Sequence, residues 1–569
     1  MSVYRLAALT TLLTIGAAPA SIDTTVAYEL SPEMKDGAIT ALNVAVRLRA
    51  DRSGTTTLDW MGSWAGDDRL GRWARDITVE GGTATPAPHG GRVVRSAPGA
   101  RLTMRYRIVS AYAADPTVED SEQSRPVIRP DWFYAVGETL YARPVDGQDR
   151  PARFAWKGPV GIGFASDTQH ERGLNGTPRS VGDISESIAI GGRKLSVATI
   201  TLNGDLVRVA HIGRFGFDGA KFDALAQRIV RTERAFWRDE RAGPFLITAI
   251  PLTAKPGFRG FGGTGRSDAF ATWIDQGADL SDMAALLAHE YFHSWNGRQL
   301  GRFADGAAAQ AYWLSEGFTD FYTRRLLLRA GLWSPEDFIA DWNRMLRAYA
   351  ASPWRQVGNV AAAAKYWSGD YAAEKLPYQR GSLLAAFWDH ALRTRGLGSL
   401  DEVLRAQRAR VAASSPRPEI VAAFVAEMAR AGLVVGPDVE RYVTEGVPVL
   451  LPADAFGRCA RVTTADVPKF ERGWDSDATA KAGNVLTGID PASNAYAAGL
   501  RDGMKIVKRI AGEPDNSAVD YVLEVEDGAT VRRFTFRPAG RTMLRTQQIE
   551  LDAARFAAEP AACARALSG

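Results

Sequence analysis

Five residues, His289-Glu290-Tyr291-Phe292-His293, restrict this chain more than any other stretch. Two imidazoles four positions apart meet on one side only if the segment is helical. They can then hold one Zn²⁺ between them, with Glu290 projecting beside them where a metal-activated water would sit. With six histidines in 569 residues, chance seldom produces this pattern. A catalytic zinc needs a third protein ligand and an open fourth position, and the next helical stretch, WLSEGFTDFY, offers Glu316. Asp320, one turn on and on the same face, can accept the free N–H of a ligating histidine and fix its tautomer. The apolar neighbours Trp313, Leu314, Phe318 and Phe321 imply that these carboxylates are buried and so need partners. Spacing and helix geometry thus predict one zinc per chain, held by His289, His293 and Glu316, with Glu290 as general base.

The chain around this motif is long enough, and at 46% hydrophobic apolar enough, to bury several cores. Its 69 basic and 65 acidic residues leave a formal charge of +4 without any basic block, so nucleic acid is not an expected partner. The start, MSVYRLAALTTLLTIGAAPAS, has a charged Arg5, an apolar run from Leu6 to Ala17 and a small-x-small site at Ala18-Pro19-Ala20. This is the pattern of a signal peptide cut after Ala20, and it predicts a periplasmic or secreted protein. No later run reaches the roughly 18 apolar residues of a membrane helix, so no span is expected once the signal is removed. In an oxidising space the two cysteines, Cys459 and Cys563, can pair.

Three regions are expected after residues 1–20. In 21–215, segments such as ALNVAVRLRA, RLTMRYRIVS, KLSVATITL and DLVRVAHI alternate or run apolar between Gly, Pro and Asp clusters, which predicts a β-rich, sandwich-like domain. In 216–450 the period becomes helical in FDALAQRIVRTERAFW, MAALLAHEYFHSW, AYWLSEGFTDFYTRRLLLRA and GSLLAAFWDHALR, with FLITAIPL as a buried strand. The zinc helix is expected to open after Leu280 with Ser281 as its cap. In 451–569 strands return, with NVLTGI, MKIVKRI and VRRFTFRP around the short helical piece NAYAAGL. The fold class is therefore multidomain α+β. His390 and His211 are expected to be structural, and His89 and His170 take no role.

HEYFHSWN, followed 23 residues later by the glutamate of WLSEGFTDFY, resembles the glycyl aminopeptidase family of zinc metallopeptidases, gluzincins related to thermolysin. The resemblance implies an N-terminal β domain, a thermolysin-like catalytic domain and a C-terminal PDZ domain, with the ligands and base already named. LPYQRGSLL is similar to the family's Tyr-x-Lys-Gly segment, which implies that Tyr378 donates a hydrogen bond to the tetrahedral oxyanion; Arg380 stands where lysine is usual. IDPASNAYAAGLRDGMKIVKRIAG resembles a PDZ core, whose loop for a peptide C-terminus would be FERGW, Phe470 to Trp474. A lid with no ligand is the alternative for this domain.

GFGGTGRSDAF, Gly260 to Phe270, has the G-x-G-x-x-G spacing of a dinucleotide loop. Such a loop should open a helix, whereas RSDAFATWI reads as a strand, so the nucleotide assignment fails on context. The resemblance makes this the edge strand of the catalytic sheet, with Gly262, Gly263, Thr264, Gly265 and Arg266 as substrate-binding backbone and side chains. Aminopeptidase members carry Gly-Gly-Leu-Glu-His here, the glutamate gripping the substrate α-amine. In this chain Gly265 replaces that glutamate and Arg266 follows it. The expectation is an endopeptidase or relaxed peptidase acting on peptides or proteins. The alternatives are an aminopeptidase preferring small residues and a peptide-binding PDZ protein with a structural zinc. The intact Glu290 speaks against the last, because a structural site needs no base.

Overall fold

The computed structural model describes residues 24–64, 67–117, 124–170, 179–239, 243–253, 260–266, 268–366 and 368–569. The expected signal peptide lies outside them. Strands Val26–Lys35 and Ala38–Arg49 pair antiparallel. Asp36 and Gly37 between them have φ of 51° and 78°, the left-handed pair that a tight hairpin requires. These strands lie in a five-stranded sheet that shares one core with a four-stranded sheet, through Leu30, Val46 and Met104 on one and Leu58 and Val94 on the other. A third N-terminal sheet contains Trp132–Val136 and Ile188–Gly192, buried along their whole length. Phe133 and Ala135 face that first core, while Tyr134 and Val136 pack with Leu246, Ile250 and Trp273 of the next sheet.

The segments KLSVATITL and DLVRVAHI read from sequence as part of the N-terminal β region. The structure places them elsewhere. Ser196–Leu202 (β1) and Asp205–His211 (β2) join Phe245–Leu252 (β3), Phe261–Gly265 (β4) and Ala269–Asp275 (β5) in a five-stranded sheet of order β1-β2-β3-β5-β4. Alternation identifies a strand but not its partner, and the parallel pairing of β2 with β3 is made only by the long crossover between them. That crossover contains α1, Gly219–Trp237, whose first turn is capped by Asp218. Strands β3 and β5 are buried at every residue, as a sheet covered on both faces requires. Strand β4 runs antiparallel to β5 and forms the sheet edge.

Behind the sheet stand α2 (Leu280–Phe292), α3 (Tyr312–Arg329), α4 (Pro335–Ala351) and α5 (Tyr371–Thr394). Helix α2 begins at Leu280, so Ser281 lies within its first turn rather than capping it. Tyr378 sits inside α5 beside Pro377, because Asp370 caps the helix two turns earlier. Helices α3 and α5 cross at two glycines. A Cβ on Gly381 would lie 1.7 Å from the Trp313 carbonyl oxygen, and one on Gly317 would lie 2.4 Å from Gly381 Cα. The backbones therefore touch, and Ser382 Oγ donates to the Gly317 carbonyl at 3.0 Å.

The last 120 or so residues are anchored on this helical layer. Ala460–Phe470 (β6) and Ala539–Leu551 (β7) form a long antiparallel ribbon. It is fixed to α4 by Asn343, whose amide donates to the Ile549 carbonyl at 2.9 Å and accepts from its N–H at 2.6 Å. The far end carries the three-stranded sheet Lys505–Ala511, Tyr521–Asp527 and Thr530–Phe536, with its own small core of Leu500, Leu523, Val525 and Phe534. NAYAAGL supplies the helix Asn494–Ala497. NVLTGI makes only a single bridge, Val485 to Lys505, rather than a strand; Asn484 and Gly488, both at φ 70°, interrupt it. A final helix, α6 (Pro560–Ser568), packs on α3 and is joined to the base of the ribbon by the Cys459–Cys563 disulfide. Among the described residues no helix is long and apolar enough to cross a membrane.

Candidate active site

Helix α2 presents His289 and His293 on one face, and α3 brings Glu316 against them. His289 Nε2 lies 3.1 Å from His293 Nε2 and 3.2 Å from Glu316 Oε2, and His293 Nε2 lies 3.3 Å from the same oxygen. The outer ring nitrogens are engaged elsewhere, His289 Nδ1 with Asp320 Oδ1 at 2.9 Å and His293 Nδ1 with the Asn296 carbonyl at 3.3 Å. If each Nδ1 donates outward, two imidazole lone pairs and a carboxylate oxygen face one another. Such a set repels itself unless a cation lies within it, and two nitrogens with one oxygen suit zinc with a fourth position open. These three are also the residues among those described that can hold a metal together.

The electrostatics agree. Burial disfavours charge on His289, yet Asp320 and Glu316 outweigh it and push the imidazole up to about 10. Burial likewise pushes Glu316 up, but His293 and His289 hold its carboxyl well below the ordinary range. A pocket that grips a proton so firmly is built to hold positive charge, and a divalent cation can take the proton's place.

Glu290, on the same helix, faces the end of the edge strand. A Cβ built on Gly265 would lie 3.4 Å from Glu290 Oε2 and 3.9 Å from Arg298 Nη2. Across from them the Tyr378 ring stacks 5.9 Å from the His289 ring, and its hydroxyl lies 3.1 Å from that of Tyr366. Gly262 to Gly265 lie along β4 at the sheet edge. Arg266 was expected to offer its charge to substrate, and here the structure differs. The side chain is 5% exposed, ion-paired with Glu138 and stacked 4.0 Å over Trp64. The N-terminal region has absorbed its charge, a partnership across 128 residues that local spacing does not reveal.

Residues 282–383 match the family model described as M61 glycyl aminopeptidase. That span contains both histidines, Glu290, Glu316 and Tyr378. The chain is a zinc metallopeptidase. In fold the peptidase is similar to an aminopeptidase N family protein from Idiomarina loihiensis, with a TM-score of 0.66 and 14% identity over 96% of this chain and 99% of that one. An M1 zinc metallopeptidase from Deinococcus radiodurans aligns with 16% identity and a TM-score of 0.43, covering 75% of this chain and 95% of its own. No curated protein matches the sequence.

Three residues of the peptidase's site had no role in the sequence reading. Asn296, fully buried, donates to the carbonyls of Leu314 and Ser315 at 3.2 and 2.8 Å and to Thr319 Oγ1 at 2.9 Å. It thereby ties the turn after α2 to the helix that carries Glu316. Its place inside HEYFHSWN was the available signal. Arg298 and Tyr366 come from turns flanking the helices, where no periodicity marks a residue. Elsewhere His390 pairs with Asp454 at 3.3 Å and His211 with Asp223 at 3.4 Å, as structural histidines do.

Proposed function

We propose that the protein is an exported peptidase that cleaves peptides internally or without strict need of a free N-terminus, rather than a strict aminopeptidase. The observation that carries this reading is what stands at Gly265. Where the aminopeptidase pattern has an amine-binding glutamate, this chain has a glycine whose missing side chain would have met the base Glu290 and the Arg298 guanidinium. A buried ammonium without a dedicated carboxylate costs several kcal/mol. The buried Arg266 takes no part.

The chemistry follows from the residues already placed. His289, His293 and Glu316 would hold a zinc ion, whose positive charge would serve to acidify a water and polarise the scissile carbonyl. Glu290 removes a proton from the attacking water and later delivers it to the leaving amine nitrogen. Tyr378 donates its O–H to the carbonyl oxygen as that oxygen becomes negative. Strand β4, at the sheet edge, pairs with an extended substrate backbone, and its glycines allow close approach. Comparing a free peptide with its N-acetylated twin tests the proposal. Equal or better cleavage of the blocked form is expected; strong preference for the free form with release of single N-terminal residues would refute it.

Export is supported by the signal-like first 20 residues and by the Cys459–Cys563 disulfide, which is at home in an oxidising compartment. For the PDZ-like region the residues speak against a peptide receptor. The Phe470–Trp474 loop borders a cleft of about 550 Å³, but Glu471, Asp490 and Asp515 outnumber Arg472 on its walls, a poor environment for a peptide carboxylate.

A further inference from the structure

Tyr366 lies in the turn before α5 and is 7% exposed. Its ring meets Tyr312, the first residue of α3, at 4.8 Å and 67°, so the helix that carries Glu316 also braces this phenol. Its hydroxyl is 3.1 Å from the hydroxyl of Tyr378. The Lys375 ammonium lies 4.6 Å from the Tyr378 ring centroid. Each phenol carries its proton at neutral pH, as an ordinary tyrosine does.

A hydroxyl has one proton and two lone pairs and rotates to suit its neighbours. Two arrangements of the pair are open. If Tyr378 donated to Tyr366, its proton would be turned away from the substrate. If Tyr366 donates, the Tyr378 oxygen is satisfied as an acceptor and its own proton is left for the carbonyl oxygen. A phenol that accepts a hydrogen bond is also a stronger donor, because chains of hydrogen bonds polarise one another. We propose that Tyr366 is a positioning residue for Tyr378, donating to its phenol oxygen, fixing the rotation of the hydroxyl and directing the Tyr378 proton at the substrate. This rests on the assignment of Tyr378 as the donor to the carbonyl oxygen.

Four proteins test it: the parent, Tyr366→Phe, Tyr378→Phe and the double variant. Each is measured for kcat and KM on one peptide, for zinc content and for affinity toward a phosphinic peptide that mimics the tetrahedral intermediate. Phenylalanine keeps the ring on Tyr312 and removes only the oxygen, so zinc content and KM should match the parent. Tyr366→Phe should lower kcat and phosphinic-peptide affinity together by about 3–10-fold, the net worth of one hydrogen bond. Tyr378→Phe should lower kcat by about 10²–10³-fold. Adding Tyr366→Phe to Tyr378→Phe should change nothing further. Equal losses from Tyr366→Phe in both backgrounds, no loss in either, or a loss confined to KM or zinc would overturn the proposal. Parent-like kcat in Tyr378→Phe would overturn the oxyanion assignment and this inference with it, whereas a slow Tyr378→Phe beside a parent-like Tyr366→Phe would overturn this inference alone.

Discussion

Glu290 and Asn296 stand for two demands on the site that single substitutions can separate. Glu290→Gln leaves all three ligands in place and removes a proton acceptor. It should keep about one zinc per chain while turnover falls by about 10²–10⁴-fold, the usual worth of a general base. Metal analysis and a peptide assay on the same sample check this, and parent-like turnover would remove Glu290 from the chemistry. Asn296→Ala is the converse case. Its backbone carbonyl still accepts from His293, but the three amide bonds to α3 are lost. Zinc affinity should fall by about 10–100-fold, as loss of an orienting partner does in other metal sites, read by competition with a chelator. Unchanged affinity would show that the turn holds its shape without the amide.

At the scale of elements the site depends on α3 and α5 approaching until their backbones touch. Alanine at Gly381 would put a methyl group 1.7 Å from the Trp313 carbonyl oxygen, and neither main chain can yield without moving its helix. Gly381→Ala should therefore cost about 3 kcal/mol, the upper end of overpacking penalties, and should slow turnover by displacing Tyr378; urea unfolding and kcat measure the two effects. This crossing also marks where sequence stops being legible. His289 with His293, and Glu316 with Asp320, could each be paired on paper because helical period puts i and i+4 on one face, and the need of a catalytic zinc for a third ligand joined the two pairs. Tyr378 could be found only through family resemblance, since nothing local separates it from an ordinary packing tyrosine. Gly317 and Gly381 left a trace, a glycine inside each of two helices against a propensity cost of about 1 kcal/mol, but the trace does not say which helices meet. Strands β1 and β2 were recognisable as strands and were grouped with the wrong sheet for the same reason.

The whole molecule is held at both ends. Cys459–Cys563 closes a separation of 104 residues and pins α6 beside the ribbon. Cys563→Ser should lower unfolding stability by up to about 4–5 kcal/mol on the chain-entropy model, and an unchanged urea midpoint would show that packing on α3 suffices. At the other end Arg179 pairs with Asp268 at 2.5 Å and donates to the Asp167 carbonyl at 2.7 Å, while Ile188 N–H donates to Asp167 Oδ1 at 2.9 Å. Burial raises the Asp167 carboxyl from 3.8 to about 6, Arg179 opposing. Its contribution to stability is thus greatest below 3.8 and is lost as pH rises to about 6. Relative to the parent, Asp167→Asn should gain stability between those two values, which urea titrations across that window would read.

Arg266 and Asp268 flank the turn between β4 and β5, and each is held by a residue of the N-terminal region, Glu138 and Arg179. The groups that retain zinc lie between residues 282 and 383, but the turn at the end of the strand beside them is also held by Glu138 and Arg179, from well before that span. On the proposed role of β4, metal retention and substrate registration therefore rest on different parts of the chain. If β4 seats the substrate as proposed, damage at Glu138 would leave zinc in place and disturb the seating of the peptide, a fault that a metal assay would never reveal.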